Sequence, residues 1–273
     1  MVVYREDMAK SNSGICHICG TVGKLSYEHV PPEAAFNDRR ILHTEFAAVL
    51  KCESLDDVPG KFRQRGAGAY TLCAKCNNDT GAWYGGAYAD WAHQAMAIVI
   101  GTGGNPSLLY PYNIFPLRVL KQIVCMFFSV NGPTFQRHQP DLVRFVLNRE
   151  SRIFPPHVRV YAFYTFSDRS RAAGATGVLR GLGGSNPTTH VFSELTFPPF
   201  GFVMTTDGSP PPEAGFCEIS GFSRFEYQDW RGGISMKLPL MPIYTAFPGD
   251  YRTRDQTLAD RETNRRYEAR FAD

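Results

Sequence analysis

Apolar and polar positions divide the chain into an irregular first part, two helices and a series of strands. Lys24, Leu25, Ser26 and Tyr27 read as a short extended stretch running into Glu28-His29. Val30-Pro31-Pro32 stops it, because proline cannot donate to a ladder and restricts the residue before it. Residues 33–70 keep no period. They predict a short helix at about 45–51 and a flexible basic segment at 61–68, and read together as an insertion. From residue 81 to about Val99, Tyr84, Tyr88, Trp91, Ala95 and Ile98 recur at helical spacing, which favours packing in a core over stacking on bases. Gly101-Thr102-Gly103-Gly104-Asn105-Pro106 then marks the expected domain boundary. Pro116 suits the first turn of a second helix, where a missing amide hydrogen costs nothing, and Leu117, Leu120, Val124 and Phe127 form its stripe up to Asn131-Gly132-Pro133.

Beyond residue 158 the period falls to two. Val158, Val160, Ala162, Tyr164 and Phe166 alternate with Arg159, Tyr161 and Phe163, and shorter runs recur at 191–197, 201–205, 216–222 and 234–238. Turn-forming clusters at 181–187 and 209–212 separate them. Residues 252–273 mix arginine with acids and predict a solvated helix or tail. The pattern implies an α+β protein: a small N-terminal unit over residues 1–100, interrupted by the insertion, and a larger, mainly β part over residues 101–273 with a few helices.

Composition narrows the class without naming a partner. At 273 residues, 43% apolar and 20% charged, the chain can bury a core and is not intrinsically disordered. A net charge of +3 is too small to demand a polyanion. The longest apolar runs are too short to span a bilayer and the first residues lack a signal-peptide core, so a cytoplasmic protein with no membrane partner is expected.

The seven cysteines change the picture more. Four form the pairs Cys16-His17-Ile18-Cys19 and Cys73-Ala74-Lys75-Cys76, a ligand set that suits a closed tetrahedral zinc site. The long gap between the pairs is tolerable because loop closure costs rise only with the logarithm of length. A thioredoxin-like redox motif would not need a second pair. Cys52, Cys125 and Cys217 read as buried thiols. Lys61, Arg63 and Arg65 are the best local cluster for contacts to nucleic-acid phosphates.

Glu28-His29 between the pairs, and Asn77 directly after Cys76, resemble the HNH, or ββα-metal, endonuclease family in its zinc-knuckle form. The resemblance covers about residues 15–85. It implies a ββα-metal nuclease domain with His29 as general base, Glu28 and Asn77 as ligands of a catalytic Mg2+ or Mn2+, and a structural zinc on the four cysteines. The implied activity is hydrolysis of phosphodiester bonds in nucleic acid, with DNA the expected substrate. Chemistry agrees: imidazole accepts a proton near neutral pH, and carboxylate and amide oxygens are hard ligands. The sequence departs from the family where an asparagine is usual about five residues before the second pair, because Gly68 stands there. The alternative is a noncatalytic zinc-ribbon module binding nucleic acid or protein. A homo-oligomer, or a regulatory partner on the C-terminal part, stays open.

Overall fold

The computed structural model describes residues 2–4, 12–52, 57–104, 109–180, 188–211 and 215–269. The turn expected at 181–187, and parts of the segments at 101–106 and 209–212, lie outside them. The chain starts with strand β1 (Val2–Tyr4), followed by β2 (Ser13–Ile15) and β3 (Val22–His29), an antiparallel pair around the first cysteines. β4 (Ile41–Glu45) runs parallel to β1, α1 (Phe46–Val49) makes one turn, and β5 (Lys61–Arg63) returns antiparallel to β4. β6 (Gly68–Cys73) pairs antiparallel with β3, completing a sheet ordered β2-β3-β6. Helix α2 (Ala74–Thr80) leaves β6 directly, passes through a π-helical turn at Gly81–Gly85 and continues as α3 (Gly86–Gly101). The stretch read as an insertion therefore carries a small sheet of its own, and Lys61 and Arg63 stand on a strand where a flexible segment was expected. Three residues paired on one side only carry too little alternation to show in sequence.

The remainder begins with β7 (Tyr110–Ile114), α4 (Pro116–Asn131), α5 (Phe135–His138) and α6 (Pro140–Leu147). Next come β8 (Arg159–Tyr164), β9 (Arg171–Arg180), β10 (Thr188–Phe197), β11 (Phe200–Thr205) and β12 (Cys217–Glu218), joined in an antiparallel sheet ordered β12-β8-β11-β10-β9. A 3-10 turn (Ser220–Arg224), β13 (Arg231–Met236) paired with β7, and α7 (Arg254–Ala269) finish the chain. The protein is α+β. Among the described residues no helix is long and apolar enough to cross a membrane.

Some strands differ from the pattern for local reasons. β9 reads Arg-Ala-Ala-Gly-Ala-Thr-Gly and lacks the β-branched alternation that would reveal it. The run at 216–222 forms only two paired residues before turning, because Ser220 Oγ accepts the Val160 amide and interrupts the ladder.

Helix α4 is buried on every side, including Lys121, Gln122 and Ser129. Lys121 tolerates this because its Nζ donates to Phe145 O (2.6 Å) and Asn148 O (2.7 Å), carbonyls at the C-terminal end of α6. The aromatic stripe of the π-helical turn and α3 is core: Tyr84, Tyr88, Trp91 and Ala95 are buried, and Trp91 lies 4.0 Å from Phe200 between ring centroids. One core of buried side chains runs from Cys16 through α3 and α4 to Leu238, so residues on both sides of the loop after α3 pack together. In the large sheet, buried Arg171 donates to Glu194 (2.6 Å) and to the carbonyls of Thr245, Phe247 and Asp250, while Glu194 accepts the Gly249 amide (2.7 Å). That ion pair pins residues 245–250 to β9 and β10.

Candidate metal centre and the adjoining strand end

The four predicted cysteines meet. Cys16 and Cys19 lie in the β2–β3 connection, Cys73 ends β6 and Cys76 sits in the first turn of α2. Their Sγ atoms all fall within 4.8 Å of one another. Cys19 and Cys73 are 3.9 Å apart, close to the edge of about 3.8 Å of a tetrahedron with metal–sulfur bonds of about 2.3 Å. Gly20, at φ 74°, makes the first turn possible and returns its amide to Cys16 O, while Cys76 N approaches Cys73 Sγ (3.5 Å) as the cap of α2. The Cys76 side-chain hydrogen bond, then the amides of Cys19, Cys73 and Ile18, pull the Cys16 thiol down to about 4 against its burial, and the same crowding pushes Cys76 up. The cluster can hold a metal ion such as zinc, whose charge would replace the shed protons.

His17, inside the first pair, is not turned toward the sulfurs' neighbours in the sheet. Its Nδ1 donates to Phe128 O and Ser129 O (both 3.2 Å), and its burial lowers its pKa. With Thr71 Oγ1 bonded to Ser129 Oγ (3.0 Å), this ties the cysteine-bearing turn to the end of α4.

The cysteines and His29 occupy opposite ends of one antiparallel ladder, in which Leu25 faces Cys73 and His29 faces Gly68. Four residues separate the ends on β3, roughly 13 Å of strand. Alternation places Glu28 and His29 on opposite faces. Glu28 is buried on the side of Cys125 of α4; among the described residues no donor bonds its carboxylate, and burial pushes its pKa up to about 8. His29 is half-buried, with its ring edge-on to Tyr27 (5.0 Å), and Tyr27 meets Tyr70 (5.5 Å).

Asn77 reaches the same strand from α2. Its Nδ2 donates to Tyr27 O (2.9 Å) and Ser26 Oγ (3.0 Å), while Ser26 spends its own hydrogen on Leu72 O (2.9 Å). A flipped amide would set oxygen against Tyr27 O, so Oδ1 is the atom left without a donor. Tyr27 O belongs to the peptide that leads into Glu28. Among the described residues, then, Asn77 Oδ1 and the Glu28 carboxylate both lack a donor, with Asn77 tied to the peptide before Glu28 and His29 on the other face of β3 one residue on.

The basic residues separate. Arg63 Nη1 donates to the carbonyl of Gly68 (3.0 Å), the residue that faces His29, and Arg65 lies over the Tyr27 ring (6.0 Å). Lys61 stands farther back, paired with His43.

At position 68 no side chain fits, because a Cβ there would lie 2.2 Å from Glu28 O. The loop after His29 is held instead by Asn37, which sequence reasoning missed. Its Nδ2 donates to Pro31 O (2.6 Å) and Ala67 O (2.7 Å), and its Oδ1 accepts the Ala67 amide (2.6 Å). Nothing local distinguishes this asparagine from any loop asparagine, because its partners come from both ends of the insertion. The chain matches no protein-family model, no curated protein and no solved structure.

Proposed function

We propose that the β3–β6–α2 unit is the catalytic part of a metal-dependent nuclease of the HNH type, hydrolysing phosphodiester bonds in nucleic acid, with DNA as the expected substrate. Cys16, Cys19, Cys73 and Cys76 hold a structural zinc in this reading. What supports it is the order of groups along β3 between the cysteine pairs: Asn77 of α2 tied to Tyr27 O and Ser26 Oγ, a buried carboxylate without a donor on Glu28, and a half-exposed histidine one residue further at the strand end. A buried carboxylate without a donor is costly unless a proton or a cation compensates it. Carboxylate and amide oxygen suit Mg2+ or Mn2+ rather than a second zinc.

Glu28 and Asn77 would hold that ion, and α2 fixes Asn77 by tying its amide nitrogen to β3. Bound there, a divalent ion supplies positive charge to the phosphate oxygens and to the departing oxygen. A ring nitrogen of His29 takes the proton of the attacking water, and the Tyr27 ring limits the imidazole's rotation. Arg63 and Arg65 offer charge to flanking phosphates.

The test is cleavage of DNA by the zinc-loaded protein with added Mg2+ or Mn2+. His29→Ala lowers the rate about 10²–10⁴-fold while zinc content and circular dichroism stay unchanged. Cleavage retained by that variant would falsify the assignment. Binding without turnover under any metal, in the unaltered protein, would establish the noncatalytic zinc-ribbon reading instead.

A further inference from the structure

The antiparallel pair of β4 and β5 carries an exposed ring, Phe62, that the cleavage site does not use. Its outward face presents Leu42 and, directly opposite in register, Phe62. Phe62 is 60% exposed, with the Arg40 guanidinium 4.3 Å from its ring centroid. A single exposed phenylalanine is ordinary, but its surroundings are not. Arg39, Arg40, Lys61, Arg63 and Arg65 lie on these two strands and the segments flanking them, and among the described residues none of the five forms an ion pair. Elsewhere most arginines with a resolved partner are matched by a carboxylate; here, among the described residues, the arginines neighbour the rings of Phe62 and Tyr27, the Tyr27 hydroxyl and the Gly68 carbonyl. Repulsion among five unpaired cations is retained only at a cost unless a polyanion relieves it.

β5 also leads toward the strand end. Phe62 precedes Arg63, whose guanidinium bonds Gly68 O, and Gly68 faces His29. Alternation sets Phe62 on one face of β5 and Lys61 and Arg63 on the other, toward His43, so Arg40 is the cation that stands at the ring.

We propose that Phe62, backed by Arg40, is a stacking platform for an unpaired base, and that the substrate class of this protein is single-stranded nucleic acid. An exposed ring offers a face that any unstacked base can cover, whereas bases inside a continuous duplex have both faces occupied. Arg40 covers one side of the ring and adds its charge to the stack. The proposal rests on reading the chain as a nucleic-acid-binding protein, but not on cleavage.

The experiment is fluorescence anisotropy with zinc-loaded full-length protein and no added Mg2+ or Mn2+, using a labelled oligothymidylate and a blunt duplex of equal length over a series of salt concentrations. Phe62→Ala weakens oligothymidylate binding by about ten-fold or more, leaves the slope of log K against log salt unchanged, and changes duplex binding less than about two-fold. Phe62→Tyr restores the wild-type value. Lys61→Ala, in contrast, lowers the salt slope by about 0.7. Equal loss on both probes, or no loss on either, overturns the platform. If the unaltered protein binds oligothymidylate in this manner and cleaves nothing, the platform stands and the nuclease reading falls; if it cleaves duplex without binding the single strand, the reverse holds.

Discussion

Replacing Asn37 tests how the loop beyond His29 is held. The side chain is 1% exposed and makes three hydrogen bonds, to Pro31 O, Ala67 O and the Ala67 amide. In Asn37→Ala, Ala67 O keeps the Val30 amide (2.9 Å), but the buried Ala67 N–H loses its acceptor. An orphaned buried donor costs about 1–3 kcal/mol and each lost bond about 1 kcal/mol, giving roughly 3–5 kcal/mol together. That is a large part of a typical stability of about 5–15 kcal/mol. Asn37→Asp is the sharper variant. It has the same shape and still accepts the Ala67 amide, yet it sets an oxygen against Pro31 O and Ala67 O and buries a charge, so at neutral pH it should cost at least as much as alanine. Urea unfolding of zinc-loaded protein, followed by tryptophan fluorescence, measures both, with zinc content as a control, since the cysteines sit at the far end of the ladder. A loss under about 1 kcal/mol in Asn37→Ala, or an aspartate variant milder than alanine, would refute the reasoning.

Other expectations follow from the same geometry. Elemental analysis should find one zinc per chain, and Cys76→Ser should lose it and lower stability by about 4 kcal/mol or more where the free metal exceeds its dissociation constant a thousandfold. Gly68→Ala should force β6 away from Glu28 O and cost at least about 2 kcal/mol, with zinc retained; an unchanged unfolding midpoint would count against the close approach. Glu194→Ala strands the buried Arg171 charge and should cost about 3–5 kcal/mol, whereas replacing both residues with apolar side chains of similar volume should cost less. Burial pushes Lys121 down to about 8 from 10.5. The unfolded chain therefore binds more protons between those values, and stability should rise with pH across that window. Lys121→Met should flatten that rise; an identical slope in both proteins would show that Lys121 does not contribute it.

Much of the site was legible from spacing alone. Two CxxC pairs with Gly20 after the first define a tetrahedral ligand set whatever lies between them, because each pair spans one turn and needs no distant information. Helical period identified the buried faces of α3 and α4 for the same reason: the repeat is local. The α+β class, the strand leading into Glu28-His29 and the solvated C-terminal helix were likewise present in the pattern.

What the sequence could not decide are contacts that join distant segments. The requirement for glycine at 68 comes from the Glu28 carbonyl on β3, forty positions earlier, and is visible only once β3 and β6 are in register. The free Oδ1 of Asn77 exists because Tyr27 O and Ser26 Oγ take its nitrogen, and the partnerless carboxylate of Glu28 exists because α4 closes over it. Residues 33–70 carried no period because their order comes from pairing with β1 and from Asn37 bridging both ends of the stretch. Local spacing set which side chains can ligate; tertiary packing alone set which of their atoms are left free to do so.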